Sequence, residues 1–157
     1  LDDPDVNARL VASVREFRPE AIFITFVLDD HDDHRRVNQL LLTVDEQVSL
    51  KGIEVWAYQV YSTVLPNVIV NITNRVERKR ELIRMWRSVS GNRDWAHYVL
   101  GMNAANCRYL STSEPAYAET FFVVPIEEYL ELCRLYFSRS PGDIYYSELY
   151  RTESSPA

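Results

Sequence analysis

The strongest constraint on the fold is a continuous apolar run, AIFITFV, from Ala21 to Val27. The run consists mainly of β-branched and aromatic residues and does not alternate apolar with polar positions, which predicts a strand covered on both faces. Strands of that kind are typical of parallel sheets that carry helices on both sides. The run is far shorter than the roughly 20 residues that a membrane helix needs, so no membrane span is predicted.

Helical and strand patterns alternate along the rest of the chain. The predicted helices span residues 6–17, 33–49, 76–88, 95–109 and 126–137, and the other predicted strands span 53–61, 68–72 and 121–124. This order predicts an α/β fold, Rossmann-like, with three α/β/α layers and a mostly parallel sheet. The length of 157 residues fits one domain, which we assign to residues 1–140, followed by a tyrosine-containing tail at 141–157.

Charge and cysteine content narrow the function classes. The net charge of −6 argues against sequence-independent binding of nucleic acid, which depends on cations that neutralise phosphates. The arginine-rich segment 75–87 is better interpreted as a solvated helix face paired with Glu77 and Glu81. Cys107 and Cys133 are too few for a disulfide framework, so we expect reduced thiols in a cytoplasmic protein.

One hexapeptide concentrates the chemistry of the chain, Asp29-Asp30-His31-Asp32-Asp33-His34, which holds two of the three histidines. It directly follows the apolar run, at the end of a strand where α/β folds bind their ligands. Imidazoles among carboxylates favour a divalent cation. The same residues also suit a solvated helix N-terminus with aspartate caps, a zinc hydrolase, or a two-metal phosphoesterase.

Three further segments follow this hexapeptide in order: Val70-Asn71-Ile72-Thr73, then Lys79 with Ser88, then Tyr117-Ala118-Glu119-Thr120-Phe121. Together with His-x-Asp-His they resemble the PIG-L/LmbE-like zinc-dependent N-deacetylases, over about residues 5–122. Those enzymes remove acetyl groups from N-acetylglucosamine-type sugars. The resemblance therefore implies zinc as cofactor and an amino-sugar substrate.

The resemblance also implies roles for individual residues. His34 corresponds to a zinc ligand, His31 to the group that faces the reacting carbonyl, and Asp33 to the acid that orients and charges His31. Asp30 and Glu119 are candidate substrate contacts, although Glu119 is better interpreted as a structural residue that pairs with a cation or with backbone amides near the site. Trp95 is the best candidate for an aromatic surface that stacks on a sugar ring.

One departure from the family pattern is large, because its N-terminal A-H-P-D-D-E loop has no counterpart in this sequence. A catalytic zinc takes three protein ligands, and His34 supplies one. We therefore interpret residues 1–140 as the C-terminal portion of an LmbE-like domain, which needs the missing N-terminal segment to complete its site. The alternative is a non-catalytic or fragmentary α/β module of the same family with a binding role. The tail tyrosines, Tyr145, Tyr146 and Tyr150, either pack on the domain or form a contact in a homo-oligomer.

Overall fold

The computed structural model describes residues 4–86 and 93–138. Its elements are α1 (Pro4–Phe17), β1 (Ala21–Thr25), α2 (Asp32–Asp45), β2 (Glu54–Tyr58), β3 (Val68–Asn71), α3 (Val76–Arg84), α4 (Trp95–Asn106), β4 (Ala118–Pro125) and α5 (Ile126–Phe137). The prediction of an α/β fold is confirmed. Ser88 and the predicted tail at 141–157 lie outside the described residues.

The four described strands form one sheet in the order β1-β2-β4-β3. β1 pairs parallel with β2, whereas β4 lies antiparallel between β2 and β3. The sheet is therefore mostly parallel in strand direction, because β1, β2 and β3 run the same way, but two of its three pairings are antiparallel. In the described part of the connection between β3 and β4, the chain forms the helices α3 and α4 and returns to the end of the sheet that it left. β4 must then run back against its neighbours.

Helices cover both faces of this sheet, as the three-layer prediction requires. On one face, Ile24, Val55 and Ala57 pack in the main core with residues of α1, α2 and α5, including Val11, Val44, Tyr129 and Cys133. On the opposite face, α3 and α4 lie against Tyr58 and Phe121. None of the helices in the described ranges is long and apolar enough to cross a membrane.

Coverage of β1 differs from the prediction at one position. Ile24 is buried, but the side chain of Phe23 is 62% exposed on the opposite face. Phe23 stacks on Trp56 with ring centroids 5.4 Å apart and meets Phe121 edge-on at 6.1 Å. The prediction that both faces of this strand are covered is therefore wrong for Phe23, because α3 and α4 lie over the β4 side of the sheet.

A buried polar cluster fixes the start of α2 against the end of β1. The Asn38 side chain is fully buried, and its Nδ2 donates to the carbonyl oxygens of Thr25 at 2.9 Å and His34 at 2.8 Å. The Tyr129 hydroxyl donates to Asn38 Oδ1 at 2.8 Å. Burial raises the pKa of Tyr129, so this hydroxyl keeps its proton and remains a donor. The cluster thus joins β1, α2 and α5 directly beneath the histidine-containing hexapeptide.

Candidate functional site

The centre of the candidate site is the carboxylate of Asp29, which follows the carboxyl end of β1 and is only 1% exposed. Its Oδ1 accepts hydrogen bonds from His34 Nδ1 at 2.9 Å and from the backbone N–H of His31 at 3.2 Å. Its Oδ2 accepts from the backbone N–H groups of Tyr61 at 2.9 Å and Ser62 at 3.4 Å. Burial alone would raise the pKa of Asp29, but these hydrogen bonds outweigh burial and hold the pKa below its usual value. The carboxylate is therefore charged and fully partnered.

His34 lies in the first turn of α2, and the two nitrogens of its ring differ: Nδ1 forms a hydrogen bond with Asp29, whereas Nε2 does not. Since Nδ1 faces a carboxylate that only accepts hydrogen bonds, Nδ1 carries the proton. In the neutral ring the remaining nitrogen, Nε2, then has a lone pair with no hydrogen-bond partner among the described residues. This arrangement, an imidazole oriented through its other nitrogen by a carboxylate, is typical of histidine metal ligands.

His31 has the opposite arrangement. It is the N-cap of α2, and its Nδ1 accepts a hydrogen bond from the backbone N–H of Asp33 at 3.2 Å. An accepting Nδ1 carries no proton, so the neutral ring bears its proton on Nε2. The two rings lie 4.8 Å apart between centroids. The pair therefore offers one N–H donor and one lone pair side by side.

The position of Asp33 differs from what the family resemblance implies. The hydrogen bond to His31 comes from the backbone of Asp33 rather than from its carboxylate, and the Asp33 side chain is exposed. The carboxylate that orients a histidine in this site belongs to Asp29 and acts on His34. Asp30 is also exposed, and its role as a substrate contact stays a prediction.

Two aromatic rings extend the site away from the histidines. Tyr61, in the segment after β2, stacks on His34 with a centroid distance of 5.5 Å and an interplanar angle of 10°, and lies 5.7 Å from His31. The ring of Trp95 meets Tyr61 edge-on at 5.8 Å. Tyr61 thus contacts both the histidine pair and Trp95. His97 lies exposed on α4, outside this cluster.

The side chain of Arg35 stabilises the segment at the start of α2. Its side chain is largely buried and donates to the backbone carbonyl of Asp30 at 3.1 Å. The same guanidinium forms an ion pair with Asp32. The acidic residues around the histidines are therefore partly neutralised by a buried cation within the same segment.

Lys79, Glu119 and Asn103 form a separate polar cluster on the other face of the sheet. Lys79 Nζ lies 2.5 Å from Glu119 Oε1 and 2.9 Å from Asn103 Oδ1, and Asn103 Nδ2 donates to the Ala118 carbonyl at 2.9 Å. The cluster borders a mainly apolar cavity of about 400 Å³ between the sheet, α3 and α4. These contacts support the structural interpretation of Glu119, because they join β4 to two helices.

We expect Glu119→Gln to cost about 1 kcal/mol of folding free energy and to leave substrate affinity unchanged, because Lys79 loses its charged partner in a partly exposed pair. Urea unfolding of the single variant, of Lys79→Met and of the double variant would measure the coupling. A higher KM with unchanged stability would instead assign Glu119 to the substrate.

A metal fits this site only in part. His34 Nε2 has the form of one ligand, yet no group of three or more histidine, cysteine, aspartate or glutamate side chains that could hold a metal occurs in residues 4–86 and 93–138. A catalytic zinc takes three protein ligands. A complete zinc site therefore requires ligands in addition to those in the described part of the chain.

No family model matches the chain, and no curated protein matches it by sequence. Solved structures do match. One is the 4-carboxy-2-hydroxymuconate hydratase GalB from Pseudomonas putida KT2440, 19% identical, with a TM-score of 0.58 over 79% of this chain and 60% of that chain. Another is an N,N'-diacetylchitobiose deacetylase from Pyrococcus horikoshii in complex with its inhibitor MPG, 21% identical, with a TM-score of 0.58 over 94% of this chain and 57% of that chain.

A further match is the conserved protein TT1542 from Thermus thermophilus, 18% identical, with a TM-score of 0.61 over 99% of this chain and 64% of that chain. The chain shares their α/β fold. It spans about three-fifths of the length of each of these proteins. At such identities the likeness establishes the fold, which agrees with the LmbE-like resemblance in the sequence, and two of the three proteins are enzymes.

Proposed function

We propose that this chain carries part of the active site of a zinc-dependent hydrolase that removes an N-acetyl group from an amino sugar or an amino-sugar conjugate. The observation that carries the proposal is the histidine pair at the end of β1, with a proton donor on His31 and an open lone pair on His34. The deacetylase among the matched structures supports this chemistry. One of the two named enzymes is a hydratase and the other is a deacetylase, so the fold by itself does not choose between hydration and hydrolysis.

In this proposal His31 acts through its Nε2–H. Attack of water on an acetamide carbonyl gives a tetrahedral intermediate whose oxygen becomes negatively charged. A fixed N–H aimed at that oxygen lowers the barrier, because it binds the charge that develops in the transition state. The neutral form of His31 suits this role better than delivery of a proton to the leaving amine, because its Nδ1 already accepts from Asp33 N–H.

His34 would hold the zinc ion through Nε2, with its ring fixed by Asp29. Zinc, when bound, supplies Lewis-acid activation of water and of the carbonyl oxygen. The remaining ligands, and the base that takes the proton from water and then delivers it to the leaving amine, would belong to residues other than those described. That division agrees with a chain that spans about three-fifths of the matched enzymes.

The substrate ring would lie along the aromatic rings beside the histidines. Trp95 touches Tyr61, and Tyr61 stacks on His34, so a sugar placed against Trp95 could bring its acetamide group to the imidazoles. Asp30, exposed in the same segment, is available to sugar hydroxyl groups. Glu119 belongs to the Lys79 ion pair on the other face of the sheet and takes no part in this arrangement.

A non-catalytic α/β module with a binding role is the second candidate. It is favoured by the incomplete ligand set of the described residues. In that case the histidine pair would bind a ligand or serve as a helix cap without supporting turnover.

The proposal is tested by acetate release from N-acetylglucosamine and N,N'-diacetylchitobiose, with a protein that contains this chain together with the residues that complete its zinc site, because the described residues supply one histidine ligand and no base. We expect release that requires Zn²⁺, stops with a chelator and returns when zinc is added back, because water activation depends on the metal. Hydrolysis of p-nitrophenyl phosphate in its place would favour the phosphoesterase alternative. Zinc binding without release of acetate from either sugar would contradict the deacetylase and favour the binding module.

A further inference from the structure

Asp29 has a larger part in this site than any sequence pattern indicates. A charged carboxylate that is 1% exposed is costly to bury unless every oxygen is partnered. Here Oδ1 holds the histidine segment and Oδ2 holds the segment after β2. One side chain therefore joins the loops that follow two neighbouring strands.

We infer that Asp29 is the positioning residue of the site: its carboxylate fixes His34 in the Nδ1–H form and anchors Tyr61 over the imidazoles. The first part rests on the 2.9 Å hydrogen bond between Asp29 Oδ1 and His34 Nδ1. The second rests on the 2.9 Å bond from the Tyr61 backbone N–H to Oδ2 of the same carboxylate. The use of His34 Nε2 as a zinc ligand rests in turn on the proposed function, whereas the positioning does not.

Tyr61 depends on this anchor for its place. Its ring is nearly parallel to that of His34, so a displaced backbone at Tyr61 would uncover the imidazole and separate Tyr61 from Trp95. His34 is also held at its backbone, because its carbonyl oxygen accepts from Asn38 Nδ2 at 2.8 Å. That second attachment fixes the position of His34 in α2 but not the orientation of its ring. Among the described residues that contact the ring, Asp29 is the one that forms a hydrogen bond with it.

Variants at Asp29 distinguish a role in positioning His34 and Tyr61 from a role in the stability of the fold alone. Asp29→Asn keeps the size but offers an acceptor on one side only, so it cannot serve both His34 and Tyr61. Asp29→Ala removes both contacts. Tyr129→Phe is the matched control, because it removes a buried hydroxyl that bonds Asn38 and leaves the His34 ring untouched. All three variants should unfold at a lower urea concentration than the parent chain.

The tautomers of His31 and His34 are read from long-range ¹H–¹⁵N spectra of the 157-residue chain without added metal. We expect Nδ1–H for His34 in the parent and in Tyr129→Phe, and a substantial Nε2–H population in Asp29→Ala. In Asp29→Asn we expect either a substantial Nε2–H population of His34 or a large change in the chemical shift of the Tyr61 backbone amide. An unchanged His34 tautomer in Asp29→Ala, or unchanged His34 and Tyr61 signals in Asp29→Asn, would overturn the inference.

Zinc affinity distinguishes failure of this inference from failure of the proposed function. If His34 is a ligand, loss of its orienting partner should weaken zinc binding about 10- to 100-fold, measured by competition with a chromophoric chelator. A changed tautomer together with unchanged zinc affinity would retain Asp29 as the positioning residue and remove His34 from the metal site. An unchanged tautomer would refute the positioning role whatever the metal does.

Discussion

Replacing His34 by alanine is expected to abolish stoichiometric zinc binding and to leave the fold intact. The reason for the first effect is that the open Nε2 of His34 is the one nitrogen of the pair with a free lone pair and an oriented ring. Loss of a direct ligand should exceed the roughly 10- to 100-fold effect of losing a partner of that ligand. The fold should survive, because Asp29 keeps its three backbone donors from His31, Tyr61 and Ser62.

The measurement is native mass spectrometry of the zinc-loaded protein that carries the complete ligand set, with urea unfolding to check the fold. His97→Ala is the matched control, because it removes an exposed imidazole on α4 outside the cluster. We expect the control to retain the zinc content of the parent. Full zinc content in His34→Ala would contradict the assignment of His34 as a ligand, and loss of zinc in both variants would point to a nonspecific effect.

Much of the fold could be predicted because its signals are local. The run at 21–27 and the helical spacing around it give the order of strands and helices directly. The direction in which a strand runs within the sheet is not determined by local sequence signals. β4 has the same pattern of apolar residues whichever way it runs, and its antiparallel place between β2 and β3 depends on how the chain returns through the connection that contains α3 and α4. For the same reason the exposure of Phe23 was not predictable, since it depends on where α3 and α4 lie across the sheet.

In the candidate site, too, the local features could be predicted from the sequence, whereas the contacts between distant residues could not. His31 and His34 lie three positions apart at the start of a helix, so sequence could predict that they share a site. Asp29 was visible as one acid among four, and nothing in the sequence distinguished it. Its role comes from the contact with Tyr61, which is 32 positions away and carries no local signal. The family resemblance implied Asp33 as the acid that orients His31, but in the structure Asp33 contacts the His31 ring through its backbone N–H, and the acid that orients a histidine ring is Asp29, which acts on His34.

Replacing His31 is expected to lower turnover and to leave zinc in place. Its Nε2–H is the donor that we assign to the developing oxyanion, and loss of one such donor typically lowers kcat by about 10²- to 10³-fold. The interaction forms mainly in the transition state, so KM should change little. Both kcat and KM would be taken from initial rates of acetate release.

Because His31 is also the N-cap of α2, alanine alone would mix two effects. A lost cap costs about 1 kcal/mol of folding free energy. His31→Asn keeps an acceptor for the Asp33 N–H but shortens the side chain, so it should restore stability without restoring turnover. His31→Gln can present an amide N–H farther out and should recover part of kcat. If asparagine restored full turnover, His31 would be a cap and no more, and the oxyanion donor would have to be sought elsewhere in the protein.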